Sequence, residues 1–183
     1  VNLYKALYKY SLTGAGNPQI TTGANSFDFG NTIIGTTSDR NLTITNTGNA
    51  RLIISNYNIT NSRFTINPNN VPDTINPAQT KNYALKFTPT VFDITSGQLL
   101  ITSNDGVTPV KLITLTGKGV YNGSFIATSV SSIDYSSRRL NSLCGGYINI
   151  TNQGTEVLSI NSIVSGTQRF RLDTVGLRFP VLI

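Results

Sequence analysis

Apolar and polar residues alternate along several short stretches of this 183-residue chain. Leu42 and Ile44 alternate with polar residues in Arg40–Thr45, and Lys81–Phe87 follows the same pattern. A period of two predicts half-buried β strands, because successive side chains of a strand point to opposite faces of a sheet. No stretch of ten or more residues has apolar positions at helical spacing. The pattern predicts an all-β protein, with further strands at Ser26–Gly30, Arg51–Ile59, Phe64–Ile66, Gly97–Ser103 and Val110–Leu115.

The same alternation predicts the core and the turns. Asn46-Thr47-Gly48-Asn49 and Asn104-Asp105-Gly106 are typical of tight reversals, because Asn and Gly tolerate a positive φ. Asn67–Pro77 holds three prolines among asparagines, which indicates a loop or a protected sheet edge. The side chains expected to face inward are Phe27, Phe29, Leu42, Ile44, Leu52, Ile54, Tyr57, Ile59, Phe64, Ile66, Tyr83, Leu85, Phe87, Leu99 and Ile101.

Two short motifs occur twice, each pair about one hundred residues apart. Leu12-Thr13-Gly14-Ala15-Gly16 returns as Leu115-Thr116-Gly117-Lys118-Gly119, 103 residues later, and Asn46-Thr47-Gly48 returns as Asn152-Gln153-Gly154, 106 residues later. A repeat of this length indicates tandem domains. Seven short strands separated by turn signals are typical of an immunoglobulin-like (Ig-like) β-sandwich.

The positions of these repeated motifs predict the domain organisation. Residues 1–16 are interpreted as the closing strand of a preceding repeat, residues 24–119 as one complete β-sandwich, and residues 124–183 as the incomplete opening part of a further repeat. Residues 17–23 and 120–123 are then short linkers. In the last repeat the expected equivalents of core strands contain Ile133 and Tyr135, Ile148 and Ile150, Leu158, Ile160 and Ile163, Phe170, and finally Leu177-Arg178-Phe179-Pro180.

Five short motifs follow one another along the complete repeat. They are Phe27-Asp28-Phe29-Gly30, Ile44-Thr45-Asn46-Thr47-Gly48, Phe87-Thr88-Pro89, the alternating run Gly97 to Asp105, and Leu115-Thr116-Gly117-Lys118-Gly119. Together they resemble the abnormal-spindle/hydin-type Ig-like domain, the choice-of-anchor D repeats of bacterial surface proteins and the related major-sperm-protein fold. The resemblance implies a non-enzymatic module and supplies no catalytic residues. The last repeat departs from the pattern, since Ser136 stands where the complete repeat has Gly30.

Composition argues against catalysis and cofactor binding. The chain has no His, Met or Trp, so the commonest general base and metal ligand is absent. We predict no catalytic residue, no cofactor and no metal site. The single Cys144 cannot form an internal disulfide and is expected to be a small buried apolar residue, with an intermolecular bridge as the alternative.

Charged and polar residues suggest few specific partners. The net charge is +6, but local basic concentrations are limited to Arg138-Arg139 and to Arg169, Arg171 and Arg178, so nucleic-acid binding is not predicted. No apolar run reaches the roughly 18 residues of a membrane span. Tyr4, Tyr8 and Tyr10 share one face of the first strand, which packing explains as well as a carbohydrate platform does.

Three aspartates and four sequons are the remaining candidates for chemistry. Asp28, Asp93 and Asp105 lack the close spacing that calcium requires, and a turn-capping role is expected for Asp105. Asp28 is the one strand-borne acid available for a Lys–Asn isopeptide bond. Asparagines in glycosylation sequons occur at Asn41, Asn58, Asn122 and Asn149, a number that the Asn- and Thr-rich composition also explains.

These observations predict a structural or adhesive repeat segment of a large exported bacterial surface protein, such as a stalk, filament or adhesin, located outside the cell. The alternative is an intracellular scaffold of the ciliary or centrosomal type. The expected partners are other proteins or copies of the same chain. One such arrangement is head-to-tail assembly, in which residues 3–14 of one copy help to complete residues 124–183 of the next.

Overall fold

The computed structural model describes residues 16–173 and 175–183. The closing strand predicted within residues 1–16, with its three tyrosines, falls almost entirely outside the described residues. The chain divides after Gly119 into two compact units, called unit 1 and unit 2 below. Each unit is described by itself.

Unit 1 is an all-β sandwich, and the described residues contain no helix. Four strands form one sheet in the order β1-β3-β7-β5, and five form the other in the order β2-β9-β8-β4-β6. The nine strands are β1 (Ile20–Thr22), β2 (Ser26–Ile33), β3 (Ser38–Asn46), β4 (Leu52–Ile59), β5 (Phe64–Asn67), β6 (Asp73–Ile75), β7 (Thr80–Phe87), β8 (Ile94–Ser103) and β9 (Val110–Val120).

The period-two alternation correctly predicted the core between the sheets. The inward residues of β3 and β7 are buried, as are Leu99 and Ile101 of β8. Phe29, Phe64 and Phe87 form an aromatic cluster, with ring centroids 4.8–5.7 Å apart. Burying each large apolar side chain contributes about 1.5–3 kcal/mol, so this core is the main source of stability for unit 1.

Two strands of unit 1 are too short for a periodic pattern to reveal. β1 lies inside the stretch predicted to be a linker, and it pairs with β3 from Ile20 opposite Asn46 to Thr22 opposite Ile44. The linker prediction for residues 17–23 is therefore wrong. β6 lies inside the proline-rich stretch and pairs with β4, with Ile75 opposite Leu52. It is a three-residue edge strand, which agrees with the protected-edge interpretation.

The closing strand continues past Leu115, where it was predicted to end. Gly117 and Gly119 lie inside β9 rather than in a turn. A Cβ atom at Gly117 would lie only 2.6 Å from Cε1 of Phe87, a separation that real Cβ contacts do not reach. Glycine is required here because the backbone of β9 approaches the aromatic cluster closely.

Replacing Gly117 with alanine is expected to lower the free energy of unfolding of unit 1 by about 2 kcal/mol, because the added methyl group must displace the Phe87 ring. Urea denaturation measures the change. Gly106→Ala is the matched control, since a Cβ at Gly106 meets no atom within 4 Å. Equal stability of the two variants would contradict the close-packing role of Gly117.

The positive φ angles expected at the two turns are absent. Gly30 and Gly35 have positive φ angles of 64° and 82°, whereas Gly48 and Gly106 do not. At Gly48 the reason for glycine is space, because a Cβ would lie 2.6 Å from the amide nitrogen of Gln19. The turn after β3 therefore depends on close backbone approach and, as shown below, on the side chain of Asn46.

Unit 2 contains four short strands: β10 (Ile126–Thr128), β11 (Ile150–Asn152), β12 (Ser159–Ile160) and β13 (Val181–Leu182). β10 pairs with β11, and β12 pairs with β13, both antiparallel. The strands predicted around Ile133 and Tyr135 and at Leu177–Pro180 are not formed. Leu177–Pro180 was expected to begin the counterpart of β7. That prediction is wrong, because the segment that pairs here, Val181–Leu182, bonds to β12 as β6 bonds to β4.

Cys144 is exposed, so the prediction of a buried position is wrong. Residues 131–149 contain no strand, and none of the described residues 121–183 is buried. An alternating pattern such as Tyr147–Thr151 predicts burial only when a second layer covers the strand. The described part of unit 2 does not provide that layer over Cys144.

Candidate interaction surfaces

A buried asparagine organises the start of unit 1. Asn46, at the end of β3, has no exposed surface. Its Oδ1 accepts hydrogen bonds from the amides of Gln19 (3.3 Å) and Gly48 (3.0 Å). Its Nδ2 donates to the carbonyls of Ala50 (2.7 Å) and Ile75 (2.9 Å). The side chain thus joins the chain before β1, the turn after β3 and the edge strand β6.

Asn152 makes the same four hydrogen bonds in unit 2. Its Oδ1 accepts from the amides of Phe125 (3.2 Å) and Gly154 (3.0 Å). Its Nδ2 donates to the carbonyls of Glu156 (2.6 Å) and Ile183 (3.0 Å). The first three partners lie 106 residues after their counterparts in unit 1, and Ile183 lies 108 residues after Ile75.

A second local motif also occurs in both units. In unit 1 the Asp28 carboxylate accepts from the amide of Gly30 at 2.9 Å. In unit 2 the Asp134 carboxylate accepts from the amide of Ser136 at 2.7 Å, and Ser136 has a positive φ of 53°. The substitution of serine for glycine at this position therefore leaves the turn geometry unchanged.

Equivalent apolar side chains differ greatly in exposure between the units. Leu42 and Ile75 are fully buried, and Phe64 is 2% exposed. Their counterparts Ile148, Ile183 and Phe170 are 50%, 42% and 57% exposed. Phe170 nevertheless stacks on Tyr135 at 5.9 Å, as Phe64 packs near Phe29 at 5.6 Å. Ile148, Ile183 and Phe170 are thus exposed in unit 2, whereas unit 1 buries their counterparts.

A carboxylate links the two sheets of unit 1. Asp73 on β6 accepts from the Tyr83 hydroxyl and from the Lys81 ammonium, both at 2.5 Å and both from β7. Burial would raise the pKa of Asp73, but the hydrogen bonds from Lys81 and Tyr83 outweigh it and lower that pKa. Burial and the bond to Asp73 raise the pKa of Tyr83.

The neighbouring Tyr57 of β4 packs on Tyr83 with ring centroids 5.7 Å apart. Burial raises the pKa of Tyr57 to about 12, so both hydroxyls stay protonated at neutral pH. Asp73, Lys81 and Tyr83 bond to one another and have a structural role, whereas the buried Tyr57 hydroxyl has no hydrogen-bond partner among the described residues. The sequence gives one sign of this arrangement. Lys81 is charged, although the alternation along β7 predicts an inward-facing side chain at its position.

Replacing Tyr83 with phenylalanine is expected to reduce the free energy of unfolding at pH 7 by about 1–2 kcal/mol, because the Asp73 carboxylate loses one of its donors. Thermal or urea unfolding measures the change. Tyr147→Phe is the matched control, since Tyr147 is 95% exposed. An unchanged stability of the Tyr83 variant would mean that the hydroxyl does not hold the sheets together.

The three candidate aspartates have separate local roles. Asp105 is 2% exposed, and its carboxylate accepts from the amides of Val107 (2.8 Å), Thr108 (3.0 Å) and Ile20 (2.9 Å). Asp93 caps the amide of Ile94. Asp28 is exposed and lacks the burial that an isopeptide acid needs. Over residues 16–173 and 175–183, no three metal-ligating side chains form a group.

Asp105 performs the predicted turn-capping role and adds one that the sequence did not reveal. Its bond to the amide of Ile20 joins the turn after β8 to β1, 85 positions earlier in the chain. Burial opposes ionisation, but the three backbone donors lower the pKa of Asp105.

The remaining predicted residues lie on the surface. The asparagines of all four sequons are exposed, at Asn41, Asn58, Asn122 and Asn149. Arg138, Arg139, Arg169, Arg171 and Arg178 are exposed as well. A shallow depression of about 180 Å³ is lined by Asp39, Arg40, Asn41 and Ala84.

The outer faces of the two sheets of unit 1 have different chemistry. The four-stranded sheet presents hydroxyl pairs such as Thr45 and Thr80, whose Oγ1 atoms are 2.8 Å apart. The five-stranded sheet presents Ile53, Val110 and Leu112, which are 38–47% exposed.

Comparisons with known proteins agree with this fold. Residues 18–118 match the family model described as HYDIN/CFA65/VesB-like, Ig-like domain. No curated protein sequence matches the chain. Among the described residues, no helix is long and apolar enough to cross a membrane.

Several solved structures are similar to part of this chain. A protein of unknown function from Porphyromonas gingivalis W83 is 20% identical, with a TM-score of 0.51; the match covers 60% of this chain and half of that chain. The human CEP192 ASH/PapD-like domain 7 is 14% identical, with a TM-score of 0.47 and coverages of 56% and 85%. The secreted serine protease VesC from Vibrio cholerae is 16% identical, with a TM-score of 0.41 and coverages of 64% and 25%. The matched region spans more than half of the chain and the nine described strands of unit 1, apart from the last two residues of β9. The chain therefore belongs to the HYDIN/CFA65/VesB-like Ig-like domain family.

Proposed function

We propose that this chain is a non-enzymatic repeat segment of a large exported bacterial surface protein, a stalk, filament or adhesin, that acts through protein–protein contacts. The observation that carries the proposal is the hydrogen-bond network of Asn46, repeated by Asn152 with a spacing of 106 residues. Units 1 and 2 are then successive Ig-like repeats, and unit 2 is the opening part of its repeat.

Side-chain chemistry supports a structural or adhesive role. Thr, Asn and Ser make up about a third of the residues, and charged residues only 12%. Outward positions of the four-stranded sheet carry hydroxyl and amide groups that are paired with each other. Such a surface is stable in water without many ion pairs, and it offers hydrogen bonds to a protein partner.

An extracellular location is part of the proposal. Repeated β-sandwiches with few cysteines are common among proteins that bacteria export, whereas animal extracellular Ig domains usually carry a bridging pair. This chain has one cysteine, Cys144 in unit 2, so the β-sandwich of unit 1 has no internal disulfide.

Surface proteolysis tests the location and hence the proposed function. Intact cells of the source organism are treated briefly with trypsin, and released peptides are identified by mass spectrometry. We expect early cleavage after exposed Arg138, Arg139 or Arg169, while a cytosolic marker enzyme in the same cells stays intact. Cleavage only after cell lysis would contradict export and favour the intracellular scaffold.

A further inference from the structure

Strand β11 of unit 2 has a partner on one side only. In unit 1 the corresponding strand β3 lies between β1 and β7. β10 pairs with β11 in the register that β1 has with β3, with Ile126 opposite Asn152 and Thr128 opposite Ile150. Within the described residues, no second strand pairs with β11. Unpaired N–H and C=O groups along a strand are a template for an added strand.

The backbone hydrogen bonds of Asn46 in unit 1 show which bonds a strand beside β11 would make. In unit 1 the amide of Asn46 donates to the carbonyl of Gln79 at 3.0 Å, and the carbonyl of Asn46 accepts from the amide of Ala78 at 2.9 Å. Both groups point away from β1 and toward the chain that leads into β7. The amide of Gln153 bonds to the carbonyl of Phe125, as that of Thr47 bonds to Gln19. The free edge of β11 therefore corresponds to the edge of β3 that bonds to β7 and to the chain leading into it.

Two apolar side chains of unit 2 are half exposed, although their equivalents in unit 1 are almost completely buried. Ile148, two residues before β11, corresponds to Leu42, and Phe170 corresponds to Phe64. In unit 1, β7 lies beside β3 in the same sheet, with Tyr83 opposite Leu42. Exposed apolar side chains next to an unpaired strand edge favour a partner that satisfies both at once.

We propose that β11 is an acceptor edge for an antiparallel β strand of the β7 type, a strand with large apolar residues at alternate positions. This inference rests on the proposed function, since it takes units 1 and 2 as repeats of one fold. In the register of unit 1 the added strand places an aromatic residue opposite Ile148, as Tyr83 lies opposite Leu42. Three residues before that aromatic residue, an outward position of the added strand carries a hydroxyl that meets Thr151, as Thr80 meets Thr45 at 2.8 Å.

The pattern of this strand distinguishes it from other partners. Outward residues of β11 and its neighbours are polar, at Asn149 and Thr151, so the added strand is polar on one face and apolar on the other. A flat membrane surface or a carbohydrate would cover the apolar side chains but leave the backbone of β11 unpaired. Only an extended peptide segment satisfies both groups.

An extended chain tests the proposal. A second copy of residues 76–119, which contains β7, β8 and β9, is joined after Ile183 of the full chain. The control carries the same addition with Tyr83→Ser, Leu85→Ser and Phe87→Ser in the added copy only. Hydrogen exchange followed by mass spectrometry measures the protection of the amides in residues 148–152, with β3 of unit 1 as the internal reference.

We expect the apolar addition to slow exchange in residues 148–152 by at least about 100-fold relative to the control addition, since stable pairing suppresses local opening. Equal exchange in both extended chains would overturn the proposal. So would equal protection of residues 148–152 in the unextended chain and in the chain with the apolar addition at every concentration, because β11 would then need no added strand. Surface proteolysis tests the proposed function, and its result does not depend on these hydrogen-exchange outcomes. The two claims can therefore fail independently of each other.

Discussion

Replacing Asn46 with alanine is expected to lower the free energy of unfolding of unit 1 by about 4 kcal/mol. The change removes four hydrogen bonds from a side chain with no exposed surface. Each contributes about 1 kcal/mol net, and buried groups that lose their partner cost more. The carbonyl of Ile75 is the most affected group, since its bond to Asn46 is buried. Urea denaturation followed by circular dichroism measures the loss.

Asn152→Ala provides the matched control, because Asn152 makes the equivalent four bonds on a partly exposed side chain. Water replaces the lost partners there, and we expect unit 1 to unfold at an unchanged urea concentration. An Asn46→Asp variant retains Oδ1 but places a buried carboxylate oxygen against the carbonyl oxygens of Ala50 and Ile75, so at pH 7 it should be at least as unstable as Asn46→Ala. A loss below about 1 kcal/mol for Asn46→Ala would contradict the organising role assigned to this residue.

Replacing Asp105 with asparagine is expected to cost about 3 kcal/mol at pH 7. The carboxylate accepts three backbone hydrogen bonds while almost completely buried. An amide presents at most one acceptor oxygen, and hydrogen bonds to a charged group are worth about 1.5–3 kcal/mol each. The buried bond to the amide of Ile20 is the critical one, so β1 should become the first strand to lose protection from hydrogen exchange.

The same carboxylate should make stability depend on pH. The pKa of Asp105 is lower in the folded protein than its ordinary value, so the folded state binds this proton more weakly than the unfolded state does. The stabilisation is therefore complete above the unfolded pKa of about 4 and is lost as the pH falls through the lowered folded pKa.

Urea denaturation of wild type and Asp105→Asn between pH 7 and pH 2 checks this sign. The difference in unfolding free energy between them should shrink as the pH falls below about 4. Asp73, whose pKa is also lowered, keeps some pH dependence in the Asp105→Asn variant, and Asp73→Asn serves as the comparison. A difference that grows with acidification would mean that the carboxylate does not act as the charged acceptor.

The sequence predicted the parts of the fold where one chemical pattern dominates. Alternation placed Leu42, Ile44, Tyr83, Leu85 and Phe87 in the core because a strand covered on one face must segregate apolar from polar side chains. The all-β Ig-like fold and the resemblance to hydin-type domains followed from this order and are confirmed.

The failures concern features without a periodic signal. β1 and β6 are three residues each, and their pairing is decided by distant residues rather than by their own composition. Asn46 and Gly48 were expected to form a left-handed turn, yet their roles are hydrogen bonding and close approach. Composition does not distinguish these uses of Asn and Gly, because both kinds of turn favour the same residues.

The candidate surfaces were predictable only in part. The spacing of 106 residues indicated that Asn152 corresponds to Asn46, but not that both residues make the same four bonds. Exposure of the apolar residues near β11 depends on which strands cover them, and a short sequence pattern carries no information about that layer. Cys144 is the clearest example, since its residue type predicts burial and its surroundings do not supply it.

Hydrogen exchange on the native protein, purified from its source, is the measurement that tests the central claim most directly. If units 1 and 2 are successive repeats of one array, the amides of β11 in the native material should be protected to a degree comparable with those of β3. Exchange of the β11 amides at the rate of an unstructured peptide, with β3 fully protected, would contradict the claim that unit 2 belongs to a completed Ig-like repeat.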